Sequence, residues 1–346
     1  MVLPGSVVFG VYMVNILDVA REAGVSKTTV SYVISGNPKI TKKTADKVHK
    51  AMQKLGYTVN HSARALSTSR TMTLGVATSD IEDIASSPLL KGIYFSGLSD
   101  YARKRGYDIL LMVDEDGTRE IEDAARARKI DGLILMDIDS HDPRVGVAVD
   151  SGVPTVLFGM PEKTQGLDVV DTNFEQAAHN LVNRFAQGGH KEIILASKCS
   201  RSDSNPLNYT LRFIRAAEDE AARCSIRIEQ ECIDADATEW SLHEALSRHP
   251  NATGVIVEDQ DTAVSARLEL EQAHVAVPGN ISLAVLLADI VYERMRMPPT
   301  SACIDTRTIT SSVVDALLRR IDNPGAGPGK KLIDTSWHDE GTISVV

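Results

Sequence analysis

The stretch from Asn15 to Ile34 decides the fold of the N-terminal part of this chain. It reads Asn15-Ile-Leu-Asp-Val-Ala-Arg-Glu-Ala-Gly-Val-Ser-Lys-Thr-Thr-Val-Ser-Tyr-Val-Ile34. Apolar residues recur three, four and seven positions apart, as on one face of a short amphipathic helix, at Ile16, Val19, Ala20 and Ala23. Gly24 suits the end of that helix, and Ser26 can cap a second helix from about Lys27 to Ile34. Two short helices joined by a tight turn predict a helix-turn-helix.

The predicted second helix has two different faces. Val30, Val33 and Ile34 can pack on the first helix. The opposite face carries polar or basic side chains that suit phosphates and base edges in a major groove, namely Lys27, Thr28, Ser31 and Tyr32. Thr41 is predicted to cap a third helix that braces the other two, with an apolar stripe of Ala45, Val48, Met52 and Leu55.

Charge is distributed unevenly along the chain. Residues 14–71 hold ten Lys or Arg and three Asp or Glu, a formal charge of +7, whereas the whole chain carries -10. The remaining residues therefore hold 27 basic and 44 acidic side chains, a formal charge of -17. A solvated lysine face is the alternative for any one helix, but a compact basic module in an acidic chain indicates a nucleic-acid footprint.

Three segments of this module resemble the lactose-repressor and galactose-repressor family of bacterial transcription regulators. They are Ile16 to Ser31, Lys47 to Tyr57, and Asn60 with Ala63, Arg64 and Leu66. The resemblance implies sequence-specific DNA binding by thirteen residues, which are Ser26, Lys27, Thr28, Thr29, Ser31, Tyr32, Ser35, Lys39, Tyr57, Asn60, Ala63, Arg64 and Leu66. Many members have Arg where this chain has Tyr32, so the bidentate guanine contact of that arginine is not implied here.

Residues 60–71 resemble the hinge helix and linker of the same family. The segment from Asn60 to Ser67 is too short for a stable isolated helix, so its ordering would depend on DNA. The resemblance implies that Leu66 enters the minor groove as an apolar wedge and bends the operator. Val59 stands where the family usually has Pro. A flexible linker with an incidental leucine is the alternative.

From Thr73 onward, short apolar runs alternate with segments of helical spacing, and the cycle starts again near residue 168. This pattern predicts two doubly wound α/β lobes with a ligand cleft between them. The resemblance likewise implies a periplasmic-binding-protein-like effector domain that forms a homodimer. The predicted divisions are an extension expected to be disordered at 1–13, the helix-turn-helix at 14–59, the hinge at 60–71, and the effector domain at 72–346, with lobe 1 at 72–167 and 297–325 and lobe 2 at 168–296 and 326–346.

The effector pocket predicted from the resemblance contains Asp171, Tyr209, Trp240, Gln260 and Asp289. Gln260 replaces a carboxylate, and Tyr209 replaces an arginine, that many members use to bind their ligand. Trp240 could stack on a sugar ring, or it could belong to the core. Asp171 could line the cleft, or it could cap the helix that follows.

Several classes of protein and site are not supported. The sequence contains no run of 18 apolar residues, so no membrane-spanning helix is predicted. Residues 1–12 lack the basic start of an export signal. The four cysteines show no zinc spacing and are expected to be thiols in a reducing cytoplasm. The Gly-rich run at 324–331 lacks the pattern of a phosphate loop. We predict no enzyme activity, no cofactor and no metal.

The sequence therefore predicts a cytoplasmic, homodimeric repressor of carbohydrate uptake or catabolism genes. It would bind a pseudo-palindromic operator in double-stranded DNA. A small ligand, such as a sugar, would change its affinity for that operator. One alternative is a regulator that responds to a non-sugar or phosphorylated metabolite, or to a partner protein as co-repressor. Another is an architectural DNA binder whose second domain serves only dimerisation.

Overall fold

A computed structural model describes residues 14–34, 39–57, 70–78, 87–113, 118–199, 207–234 and 240–346 of the chain. The chain divides into two compact units between Met72 and Thr73. This division agrees to within one residue with the predicted start of the effector domain. Among the described residues, no helix is long and apolar enough to cross a membrane.

The first unit contains the three predicted helices, which are α1 (Ile16–Ala23), α2 (Lys27–Ile34) and α3 (Lys42–Leu55). Asn15 and Asp18 form a capping box at the start of α1, which satisfies backbone N–H groups that have no partner within the helix. Gly24 ends α1 with φ of 65°, a conformation that a residue without Cβ adopts at little cost. Thr41 caps α3, as predicted.

The core of this unit is small and draws on all three helices. Val19 of α1, Val30 of α2 and Val48 of α3 are fully buried and belong to one cluster. Their burial turns the polar face of α2 outward. The predicted helix-turn-helix is therefore confirmed as a fold.

The second unit contains two six-stranded sheets with helices between the strands. The helices are α4 (Pro88–Lys104), α5 (Thr118–Arg126), α6 (Pro143–Ser151), α7 (Phe174–Gln187), α8 (Asn208–Cys224), α9 (Leu242–Arg248), α10 (Gln260–Gln272), α11 (Asp289–Tyr292) and α12 (Thr306–Asp322). The strands are β1 (Thr73–Thr78), β2 (Asp108–Val113), β3 (Gly132–Leu135), β4 (Thr155–Phe158), β5 (Asp168–Thr172), β6 (Glu192–Cys199), β7 (Arg227–Asp234), β8 (Gly254–Val257), β9 (Ser282–Ala288), β10 (Thr300–Ile304), β11 (Lys330–Ile333) and β12 (Ser336–His338).

Each sheet forms one lobe, which confirms the two predicted α/β lobes. The strand order is β11-β5-β4-β3-β1-β2 in lobe 1 and β12-β10-β9-β8-β6-β7 in lobe 2. Neighbouring strands are parallel except for β12, which runs antiparallel to β10. Fully buried strands such as β3, β4 and β8 are typical of parallel sheets covered on both faces.

The predicted lobe boundaries were wrong in three places. Strand β5 was assigned to lobe 2 but pairs with β4 of lobe 1, and β11 was assigned to lobe 2 but pairs with β5. Strand β10 was assigned to lobe 1 but pairs with β9 of lobe 2. The chain therefore crosses between the lobes after Thr172, after Ile304 and after Ile333, rather than near Met297 and Pro324. Hydrophobic alternation predicts a strand, but not the distant strand with which it pairs.

The cysteines differ in part from the sequence prediction. Cys224 and Cys303 are free thiols, and burial raises the pKa of Cys303 to about 12. Cys232, on β7, is disulfide-bonded, so the prediction of a thiol was wrong there. The spacing of the cysteines along the chain did not indicate this disulfide, because the fold rather than the sequence separation brings sulfur atoms together.

Candidate DNA-reading helix and ligand cleft

The outward face of α2 presents the polar residues that the sequence singled out. Lys27 and Thr28 are exposed, and the side chain of Tyr32 is 44% exposed. Ser31 is half-buried on the same helix. One short helix thus offers an ammonium group and several hydroxyl groups to a partner outside the unit.

Two of the predicted DNA-binding residues also stabilise the start of α2. Ser26 Oγ accepts a hydrogen bond from the backbone N–H of Thr29 at 3.1 Å and lies 2.9 Å from Thr29 Oγ1. This contact satisfies an N–H group that has no partner within the helix. Ser26 is exposed, whereas Thr29 is half-buried.

The other predicted DNA-binding residues are distributed around this helix or lie outside the description. Lys39 is exposed before α3, and Tyr57 is half-buried after it, against the helix-turn-helix core. The predictions for five residues fall outside the described part of the chain, namely Ser35, Asn60, Ala63, Arg64 and Leu66.

A cavity of about 90 Å³ lies between the two lobes of the second unit. Both lobes contribute aromatic walls, which are Tyr94, Phe158, Phe174 and Tyr209. The carboxyl ends of β5, β8 and β9 also reach it, as expected for ligand sites in parallel sheets. The location therefore agrees with the predicted cleft.

The structure brings three of the five predicted pocket residues to this cavity. Asp171, Tyr209 and Gln260 line it. Trp240 and Asp289 are not among its lining residues. Trp240 packs instead against the core of lobe 2, which was the alternative from the sequence. Asp289 Oδ1 accepts from Thr306 Oγ1 at 2.6 Å and thereby links α11 to α12.

Asp171 is held by a cation that the sequence analysis did not include in the site. Arg212 Nη1 donates to Asp171 Oδ2 at 2.5 Å, and Arg212 Nη2 donates to Glu175 Oε2 at 2.7 Å. Burial raises the pKa of Asp171 to about 6, although the charge of Arg212 acts in the opposite direction. The pair joins the end of β5 in lobe 1 to α8 in lobe 2.

Two further buried ion pairs border the cavity. Lys91 Nζ lies 3.1 Å from Asp137 Oδ2, and Lys198 Nζ lies 3.0 Å from Asp259 Oδ1. Asp259 also caps α10 by accepting from the backbone N–H of Thr262. Each of these carboxylates therefore has a cation within contact distance.

Glu258 also lines the cavity, and the sequence analysis missed it. Its side chain is 4% exposed, and Thr210 Oγ1 donates to Glu258 Oε1 at 3.4 Å. Glu258 Oε2 has no hydrogen-bond partner among the described residues. Burial raises the pKa of Glu258 to about 8, the adjacent Asp259 raises it further, and Lys198 opposes the shift. Its place directly after the buried strand β8 was a signal that could have identified it.

Hydrogen bonds hold the two lobes together around the cavity. Ser87, at the start of α4 in lobe 1, accepts from Gln260 Nε2 at 3.0 Å and donates to Asp261 Oδ2 at 2.6 Å. The backbone N–H of Asn208 in lobe 2 donates to the carbonyl of Ile138 in lobe 1 at 3.2 Å. These hydrogen bonds join lobe 1 directly to lobe 2 beside the cavity.

Comparison with known proteins gives matches to both units. Residues 15–60 match the family described as bacterial regulatory proteins, lacI family. Residues 182–343 match the periplasmic binding protein-like domain. Catabolite control protein A of Priestia megaterium is 36% identical over 187 residues, which are 53% of this chain and 55% of that protein. The match thus spans about half the length of this relative.

Solved structures of similar fold cover nearly the whole chain. The lac repressor dimer bound to operator and the anti-inducer ONPF has a TM-score of 0.76 at 22% identity, covering 96% of this chain and 99% of that chain. The complex of the transcriptional regulator CelR with cellobiose has a TM-score of 0.66 at 19% identity, covering 95% and 99%. At these identities the likeness concerns the fold. Together with this fold, the two domain matches show that residues 15–60 form a domain of the lacI family of bacterial regulatory proteins and that residues 182–343 form a periplasmic binding protein-like domain.

Proposed function

We propose that this chain is a sequence-specific DNA-binding transcription regulator whose affinity for its operator changes when a small ligand occupies the cleft between the lobes. The observation that carries the proposal is the outward face of α2, where Lys27, Thr28 and Tyr32 are exposed beside a fully packed core. A major groove accepts a helix with this arrangement of side chains. The proposal is also supported by similar proteins that are named as regulators, such as catabolite control protein A and the lac repressor.

The mechanism of operator binding requires two copies of the helix-turn-helix unit. Two copies of the chain would place two α2 helices in successive major grooves of a pseudo-palindromic operator. The hinge at 60–71, including Leu66, would bind at the centre. A ligand that changes the closure of the lobes would change the spacing of the two hinges and hence the affinity, by a coupling of about 1 to 3 kcal/mol.

We further propose that the genes under control serve carbohydrate uptake or catabolism, and that the chain acts as their repressor. The support comes from relatives, since one similar structure holds cellobiose and one relative is a catabolite control protein. Trp240 does not add support, because it packs in the lobe 2 core. A phosphorylated effector is disfavoured because Lys91, the cation among the described residues that line the cavity, is already paired with Asp137.

Fluorescence anisotropy of the full chain tests the proposal. The probes are the palindromic sequence upstream of its own gene and a scrambled duplex of equal length, each at two salt concentrations. We expect tighter binding to the palindrome, and weaker binding to both at higher salt, because phosphate contacts release counterions. Equal affinity for the two duplexes would instead indicate the architectural alternative. A panel of sugars, sugar phosphates and purines then identifies what changes the affinity.

A further inference from the structure

The carboxylates around the interlobe cavity differ in whether a cation contacts them. Those of Asp137, Asp171 and Asp259 are each in contact with a lysine or arginine. Glu258 is as deeply buried as they are, yet no cation of the described residues is in ion-pair contact with it, and its Oε2 atom has no hydrogen-bond partner among them. Burying a carboxyl oxygen without a hydrogen-bond partner costs the folded protein free energy, and a ligand that supplied the missing partner would recover that cost.

The position of Glu258 indicates that a ligand is the missing partner of its carboxyl group. Glu258 directly follows β8 and precedes Asp259, the residue that caps α10, and it lines the cavity. This is the edge of the sheet at which parallel α/β domains bind ligands. A ligand in the cavity can therefore reach the carboxyl group that the protein itself leaves incompletely bonded.

The charge and the walls of the cavity limit what that ligand can be. Lys91, the cation among the described lining residues, is already paired with Asp137, so a phosphate or carboxylate in the cavity would have to compete with that aspartate for its only cationic partner there. A positively charged nitrogen would instead complete a fourth ion pair, equivalent to the three pairs already present. The aromatic rings of Tyr94, Phe158, Phe174 and Tyr209 add faces that attract cations.

We propose that the cleft binds a ligand that carries a protonated amine, and that Glu258 is the residue that pairs with this amine. An amino sugar combines such a group with the hydroxyl groups that Gln260 and Tyr209 can bind. The proposal deepens the proposed function by naming the chemical class of its effector, and it rests on that function only in taking the cleft as the effector site.

Thermal unfolding of the full chain tests the proposal with matched pairs of compounds. The pairs are glucosamine and glucose, galactosamine and galactose, and 2-aminoethanol and ethane-1,2-diol, with glucose 6-phosphate as the anionic probe. A ligand that binds the folded state raises the midpoint. We expect at least one amine to raise it more than its hydroxyl counterpart does, and glucose 6-phosphate to leave it unchanged. Equal shifts within every pair, or no shift with any amine, would overturn the proposal.

Two variants make the test specific to Glu258. The change Glu258→Gln should remove the difference between amine and hydroxyl compounds, whereas Glu271→Gln, at an exposed position of α10, should preserve it. Without ligand, Glu258→Gln should raise the unfolding midpoint by roughly 2 to 4 °C, because it removes a buried ionisable group. A lower midpoint would show that the carboxyl group supports the fold, and would contradict a role in binding.

The same compounds in the anisotropy assay separate this proposal from the proposed function. An amine that stabilises the wild-type chain but leaves operator binding unchanged supports the amine site and contradicts regulation through the cleft. Selective operator binding together with no response of the unfolding midpoint to any amine supports the DNA-binding function and overturns the amine site.

Discussion

Gln260 Nε2 donates a hydrogen bond to Ser87 Oγ at 3.0 Å, and this bond joins the two lobes at the N-terminal end of α10. The Gln260 side chain also accepts from the backbone N–H of Ala288 at 3.4 Å. Gln260 is buried, so one amide group connects lobe 1, the start of α10 and the end of β9.

The change Gln260→Ala should therefore weaken the contact between the two lobes. We expect the free energy of unfolding of the full chain to fall by about 1 to 3 kcal/mol, because Ser87 and Ala288 lose a buried partner. Denaturant unfolding measures this loss. The variant Gln272→Ala, at the exposed end of the same helix, should change stability little, and a similar loss in both variants would contradict the role of the lobe contact.

Lys27 provides a direct test of α2 as the DNA-reading helix. We expect Lys27→Ala to weaken binding to the operator by about 1 to 3 kcal/mol and to relax the preference over a scrambled duplex, if the ammonium group contacts a base. Anisotropy titrations with both duplexes measure this. Lys104→Ala, on an exposed lysine of the second unit, is the control, and equal effects of the two changes would contradict the assignment.

Ser26 separates the stability of α2 from its contact with DNA. The change Ser26→Ala removes the hydrogen bond to the Thr29 N–H and should cost the helix-turn-helix about 1 kcal/mol. Ser26→Asp keeps a capping oxygen but adds a negative charge. We expect it to retain stability in thermal unfolding and to weaken DNA binding in anisotropy. Normal DNA binding by the Asp variant would show that Ser26 lies away from the phosphates.

Leu66 tests the hinge that the family resemblance implies. Leu66→Ala should weaken operator binding more than binding to a scrambled duplex, because only the bent operator gains from an apolar wedge in the minor groove. Anisotropy with the two duplexes at one salt concentration gives both affinities. An equal loss for both would argue against an intercalating leucine.

Glu258 should make stability depend on pH. Its pKa in the folded protein is raised to about 8 from 4.5, so the folded state binds the proton more tightly than the unfolded state. This contribution to stability is complete below about pH 4.5 and is lost as the pH rises through about 8. Denaturant unfolding between pH 5 and 9 should show a decline that Glu258→Gln reduces. The same decline in both proteins would contradict the raised pKa.

Local sequence signals were sufficient for the three helices of the first unit and for strands β1 to β9 of the second, but they did not locate β10, β11 or β12. The caps at Asn15 and Thr41 and the αL residue Gly24 are short-range features, because a cap bonds to residues two or three positions away. Apolar runs likewise located strands such as β3 and β8. In each case the information lies within a few residues of the position that uses it.

The assignment of strands to lobes and the composition of the pocket depended on the tertiary structure. Strand β5 belongs to lobe 1 because it pairs with β11, about 160 residues later, and no local pattern encodes that partner. The sequence placed Asp171 and Gln260 in the cleft, whereas the isolation of Glu258 emerged only when Lys198 was found on Asp259. Sequence alone determined the type of most elements, since backbone preferences are local. The tertiary structure decided which charges face one another, since those contacts join residues far apart in the chain.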